Sequence, residues 1–272
     1  MEFAQVPKLS ILVTDWAVVP RMSDGLGNRL FQYAVALGLA KKWNRPVRFS
    51  RAYMVASNHG DPEDFLKLFP DVPVDDVTDP VILTQAGADL FVYREFPEAP
   101  PGNVVLIDSR QNPAYFAKVV VEPVWPSIPV PDLSGSWMIH FRRGDYDILS
   151  HYFVDLTRYY RRCLLAVPEG SSLRVFSDEP GKCKDFLESV MDGREYRVSW
   201  STETVDYKAL HEMSLCTGGA ITANSTFSWW GAYFAKARAG PRFQAFYPKS
   251  WGPGLPEATG VVPPWGEYVD TI

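Results

Sequence analysis

Apolar residues first gather at 16–20, WAVVP, and the turn-forming stretch SDGLGN separates them from a segment whose apolar positions recur at helical spacing. The stripe Leu26, Leu30, Ala34, Leu37 predicts a helix from about 28 to 43, with Lys41 and Lys42 at its negative end and Pro46 beyond its stop. PVRFS at 46–50 then reads as a second strand, completing the strand, helix, strand alternation of a nucleotide-binding α/β domain. Residues 52–103 are rich in Asp and Pro without a clear period and predict loops and short helices. VVLID at 104–108 is a further buried strand, and EPVWPSIPVPDLSG at 122–135, with four prolines, is an extended connector. Beyond it come WMIHFRR (137–143), LRVFSD (173–178), EYRVSW (195–200), GGAIT (218–222) and QAFYP (244–248), short apolar runs separated by helical lengths. The α/β rhythm thus repeats, and two domains are expected, residues 1–130 and 131–272, divided in the proline-rich connector.

Composition narrows the partners. A chain of 272 residues, 46% hydrophobic and 22% charged, is ordinary for a globular protein and long enough for one large or two modest domains. Its 14% aromatic content, with nine Trp, is high and often accompanies sugar binding, although most aromatics serve the core. A net charge of −5 excludes a broad phosphate-binding surface, so no nucleic-acid partner is expected and any anion site is local. Cys163, Cys183 and Cys216 are odd in number and widely spaced, which argues against a disulfide framework or a zinc site. No run approaches the roughly 20 apolar residues of a membrane span, and the opening MEFAQVPKLSILVTDWAVV is broken by Pro, Lys and Asp before any signal-like core forms. A cytoplasmic location without a membrane span follows as the expectation.

Four segments carry chemistry. HFRRGDYD (140–147) stands where a strand opens into a loop, the side of an open α/β sheet on which ligands bind. Strand alternation puts Arg142 on the face of His140 and Arg143 on the other, so one guanidinium can meet a diphosphate while the other pairs with a carboxylate such as Asp145. A solvated arginine pair with a local salt bridge is the plain alternative. The RGD within this segment reads as a strand-end turn, and Asp145 with Asp147 forms a DxD that could hold a divalent ion, a need that phosphate-binding arginines reduce. In SDGLGNRLFQYA (23–34) two glycines precede a helix, opening its positive end to an anion; capping by Asp24 or Asn28 explains the pattern equally well. FSDEP (176–180) ends a strand with Asp178, a carboxylate suited to paired N–H donors of a guanine edge, or to a turn. ANSTFSWWGAYFA (223–235) sets Ser225, Thr226 and Ser228 at the start of an aromatic helix, where hydroxyls and free N–H groups suit a phosphate or simply cap a core helix. Asn224, Ser225 and Thr226 also spell a glycosylation sequon, which is discounted in a cytoplasmic chain.

Taken together and in this order, DGLGNRLFQYA, HFRRGDY, FSDEP and NSTFSWWGAYFA resemble glycosyltransferase family 11, the alpha-1,2-fucosyltransferases. The resemblance spans about residues 23–240; where the family opens GGLGNQ, this chain has Asp24 and Arg29 in place of a Gly and the Gln. It implies a GT-B-like architecture, two Rossmann-like α/β domains facing across a cleft, the second holding GDP-fucose and the first approached by a terminal-galactose glycan acceptor. It also implies inverting transfer without a metal or other cofactor. By similarity His140 and Arg142 contact the donor, with Arg142 on the β-phosphate; Asp178 reads guanine; Ser225, Thr226 and Ser228 line the diphosphate; Gly27 and Asn28 close over it. Charge builds on the departing GDP, so a fixed cation at its β-phosphate is the strongest catalytic lever, and Arg142 is assigned that role. A general base is sought among Asp24, Asp145 and Asp155. The competing readings are a metal-dependent DxD glycosyltransferase and a glycan-binding protein without turnover.

Overall fold

The computed structural model describes residues 16–57, 60–84, 90–107, 110–144 and 153–271. Two parallel sheets organise them. The smaller joins β1 (Val18–Pro20), β2 (Val81–Leu83) and β3 (Val104–Leu106) in the order β1-β3-β2. α1 (Leu26–Trp43) packs on β1, and α2 (Pro62–Leu68) begins at Asp61, whose carboxylate caps the Glu63 amide at 2.8 Å. The expected strand at 46–50 contributes only single bridges, Val47 to Val18 and Phe49 to Val74. Its neighbour Arg45 is turned out of line by Asn44, which ends α1 at φ 52°.

The larger sheet uses β4 (Trp137–Phe141), β5 (Ser172–Ser177), β6 (Arg197–Trp200), β7 (Gly219–Ile221), β8 (Gln244–Pro248) and β9 (Glu267–Val269). Their order is β6-β5-β4-β7-β8-β9 with every pair parallel. The helices α3 (Thr157–Ala166), α4 (Pro180–Met191), α5 (Asp206–Ser214) and α6 (Thr226–Ala239) connect them. This is the doubly wound order in which the chain starts at a central strand, builds outward, then returns to the other side. Strand alternation is visible in the packing: Trp137, Ile139 and Phe141 face a cluster with Tyr160, Cys163 and Leu187, while Met138 faces the opposite cluster with Met213 and Trp230.

That second cluster is shared by both sheets. Phe31 of α1 lies 4.7 Å from the Trp229 ring of α6, and Phe116, just after β3, stacks on Trp230 at 5.7 Å. The connector at 122–135 is irregular, as its prolines predict, and it returns to the core where Trp125 stacks on His211 at 4.9 Å. Residues 258–261 also cross over: Gly260 sits so close to Phe91 that any Cβ would strike its carbonyl oxygen, and Trp229 Nε1 donates to Val261 O at 2.7 Å. β2 and β9 were not anticipated from the sequence. Among the described residues no helix is long and apolar enough to cross a membrane.

Candidate active site

In a doubly wound sheet, ligands bind at the carboxyl ends of the two strands between which the order reverses, because the loops there diverge and leave a crevice. Here those strands are β4 and β7. The segment after β4 carries Arg142 and Arg143, and the segment after β7 carries Asn224, Ser225 and Thr226. Arg142, Arg143 and Asn224 line one cavity together with Phe153, Asp155 and Tyr160.

His140, the penultimate residue of β4, is 4% exposed and lies 6.1 Å from the Phe227 ring in the first turn of α6. Its carbonyl accepts from Tyr160 Oη at 2.7 Å, while Nδ1 is buried without a partner among the described residues. Burial lowers its pKa to about 4 and Arg142 pushes the same way, against the opposing pull of Asp178. The imidazole is therefore neutral at pH 7.

The two arginines part, as strand alternation predicts. Arg143 lies over the Phe186 ring at 4.5 Å, and Arg142 Nη1 pairs with Asp178 Oδ2 at 2.9 Å. Asp178 Oδ1 also accepts from the Arg143 amide at 2.9 Å. The register explains this: Phe141 of β4 stands beside Ser177 of β5, so the next residues of the two strands meet. Gly144 completes the contact, since a Cβ there would lie 2.5 Å from Asp178 Oδ2. Asp145 and Asp147 lie outside the described residues. Asp155, one residue before the Leu156 N-cap of α3, accepts from the Thr157 amide at 2.9 Å; the hydrogen bonds from Thr157, aided by Arg143, hold its pKa below the usual carboxylate range, which weakens it as a base.

The smaller sheet brings α1 against the same place. Gly27 is required by close approach: a Cβ would lie 2.5 Å from Phe227 N and 2.6 Å from Thr226 C. Two helix N-termini therefore abut. α1 starts at Gly25 with no side-chain cap, so neither Asp24 nor Asn28 fills the capping role, and neither α1 nor α6 has an acidic residue in its first turn. Each first turn presents amides without intrahelical acceptors and the positive end of a macrodipole. Ser225 caps α6 through Phe227 N at 3.3 Å, and Thr226 Oγ1 donates to Asn28 Oδ1 at 2.9 Å, tying the two helix ends. Ser228 is fully buried; its hydroxyl accepts from Ala223 N and donates to Ser225 O, so it braces the turn from within rather than facing the crevice.

Asp24 is exposed at the entrance to α1 and adopts φ 65°, a conformation for which Gly is best suited and Asp is among the better tolerated residues. Its carboxylate accepts from Ser23 Oγ at 3.0 Å and its carbonyl from Ser57 Oγ at 3.0 Å. Arg29, 1% exposed, turns away from the crevice and donates to Gly60 O at 3.1 Å, with Asp206, Asp24, Asp61 and Asp64 offsetting the cost of its burial. Gln111, which no local motif announces, donates through Nε2 to Asn28 Oδ1 at 3.3 Å. The signal that could have found it is positional: it follows β3, at the carboxyl end of a parallel strand.

No family model matches the chain. It is distantly homologous to the alpha-1,2-colitosyltransferase of Escherichia coli, with 24% identity over 255 aligned positions covering 79% of this chain and 87% of that protein. The fucosyltransferase FUT1 of Arabidopsis thaliana, solved with GDP, superposes with a TM-score of 0.50 at 14% identity, covering 94% of this chain and 77% of that one. The fucosyltransferase NodZ from Bradyrhizobium gives a TM-score of 0.47 at 15% identity, over 80% of this chain and 92% of the other. The two parallel sheets, of three and six strands, match the GT-B fold of the Arabidopsis fucosyltransferase structure.

Proposed function

We propose that this protein is an inverting glycosyltransferase that moves L-fucose from GDP-β-L-fucose to a hydroxyl of a terminal galactose, forming an alpha-1,2 linkage. The observation that carries this reading is the meeting of two acid-free helix N-termini, α1 and α6, at the reversal point of the larger sheet, where Arg142 leaves β4. Such a place favours a compact, highly charged anion, and the diphosphate of a sugar nucleotide is one. The alpha-1,2 linkage and the type of sugar are supported by the distant Escherichia coli relative, whose name specifies a colitose transfer of that linkage. Colitose is L-fucose lacking its 3-hydroxyl, so both sugars ask the same of the phosphate site.

In this reading Arg142, oriented by Asp178, stabilises the charge that develops on the β-phosphate as the glycosidic bond breaks. The free amides of α1 and α6 and the Asn28 side-chain amide share that charge, with the Thr226 hydroxyl holding Asn28 in place, and Gly27 allows the two ends to close on it. These groups supply the leaving-group neutralisation for which other transferases recruit a divalent ion. Neutral His140 lies beneath the donor as an uncharged hydrogen-bonding group. Asp178 keeps unused lone pairs beyond its contacts to Arg142 and Arg143, which leaves acceptor capacity for guanine N–H groups. Asp24, exposed at the rim on the smaller-sheet side, is assigned as the base that takes the proton of the acceptor hydroxyl. Residues 1–130 form the acceptor side and 131–272 the donor side.

The test is GDP release in EDTA from GDP-fucose and from its 3-deoxy analogue, with and without terminal-galactose acceptors, in wild type and Arg142→Ala. Acceptor-stimulated release that survives EDTA and falls on the order of 100- to 1000-fold in the variant is expected. Loss of activity in EDTA with recovery in manganese would move the phosphate chemistry to a metal. GDP binding without release from either donor would make the protein a binding module.

A further inference from the structure

We infer that Gln111 is a positioning residue that fixes which way the Asn28 carboxamide faces, and so presents its N–H donors to the donor diphosphate; this rests on the phosphate site proposed above. Asn28 Oδ1 accepts twice, from Thr226 Oγ1 at 2.9 Å and from Gln111 Nε2 at 3.3 Å. With the oxygen held on both sides, the Nδ2 end of the planar amide points the opposite way, and among the described residues it has no acceptor there. Asn28 sits in the first turn of α1, beside the abutting helix ends, so an anionic oxygen bound between them is the acceptor that completes the amide.

Gln111 is itself built into place. It is 8% exposed, its main-chain amide donates to Leu90 O at 2.8 Å, and the neighbouring Asn112 side chain donates to Phe91 O at 2.7 Å. The side chain therefore reaches Asn28 from a backbone anchored on both sides. A ligand-binding amide needs such support, because Asn can rotate its amide by half a turn at little intrinsic cost and would then offer an oxygen to a phosphate. Thr226 alone does not prevent this, since a hydroxyl accepts as readily as it donates. Gln111 Nε2 supplies the second donor to Asn28 Oδ1, and turning the Asn28 amide alone would set two N–H groups against each other, so Gln111 favours the orientation that leaves Nδ2 toward the abutting helix ends.

Two near-isosteric substitutions separate this role from packing. Gln111→Glu replaces the donor by a carboxylate that repels Asn28 Oδ1 and favours the turned amide; Gln111→Met keeps the bulk and removes both polar ends. The readouts are the calorimetric Kd for GDP and the KM for donor and for acceptor, with circular dichroism to verify folding. Gln111→Glu is expected to weaken GDP and raise the donor KM about 10-fold or more, Gln111→Met less, with the acceptor KM unchanged in both. If Gln111→Glu does not fold, a donor-selective rise in KM for Gln111→Met carries the test, and its absence overturns the inference. Unchanged or tighter GDP binding in Gln111→Glu also overturns it, because the amides then face the other way. Asn28→Ala distinguishes the two levels: if it binds GDP as wild type does, the phosphate site itself is misplaced, whereas loss there with both Gln111 variants unaffected rejects only the role of Gln111.

Discussion

Single residues here do their work through what neighbouring strands bring beside them. His140 shows it most directly. In the unfolded chain it titrates near 6.5, whereas in the fold burial lowers that value to about 4. Between these values the unfolded chain binds the proton and the native one does not, so stability falls as pH drops through that window. Acidification from pH 7 to 5 is expected to cost about 2 kcal/mol through this one group, and His140→Gln should show that much less loss in urea unfolding at the two pH values. Several of these residues were legible from the sequence, because His140 closes a recognisable apolar strand and Arg142, Ser225 and Thr226 follow one, so all fall at a carboxyl end. Gln111 was not, because its partner lies 83 residues away and neither neighbourhood carries a signal for the other. The pairing of Asp178 with Arg142 was equally hidden, since it follows from the β4 and β5 register, which no linear pattern specifies.

The elements repeat this division between local and distant causes. β4, buried at all five positions, reads from the sequence as a continuous apolar run because helices cover both of its faces. β2 and β9 are exposed three-residue edges, and EYV or VIL in a proline-rich setting carries too little pattern to declare a strand. The helix at 26–43 was visible from its stripe, yet its most consequential feature is Gly27, whose hydrogen stands where any other side chain would meet the backbone of α6. Gly27→Ala must push α1 off α6. We expect a loss of about 1–3 kcal/mol in unfolding free energy together with a weakened GDP affinity, measured on the same preparation by urea unfolding and calorimetry. A helix-propensity argument alone gives the opposite sign, because Ala is favoured over Gly within a helix by about 1 kcal/mol. The sign of the change therefore reports whether the two N-termini meet as described.

At the scale of the whole molecule, the two sheets share one interior, while the larger sheet keeps a second on its other face. Phe31 and Phe116 from the first half interlock with Trp229 and Trp230 from the second, and all four rings are buried. Trp230→Ala is expected to cost about 3–5 kcal/mol, and both halves should unfold in one transition seen alike by far-ultraviolet circular dichroism and tryptophan fluorescence. Two resolved transitions in wild type would show that the shared cluster does not couple them. The overall alternation of strand and helix was evident in the sequence, whereas this sharing was not, since binary pattern says that a face is covered and not by what. The return of residues 258–261 to Phe91 has a further consequence for how the protein is made. α1 and β1 leave the ribosome on the order of a hundred or more residues before α6 and the final crossing exist, although chains generally fold from the end made first. The half that is translated first is thus closed last, and the newborn chain must carry an open apolar helix face through most of its own synthesis.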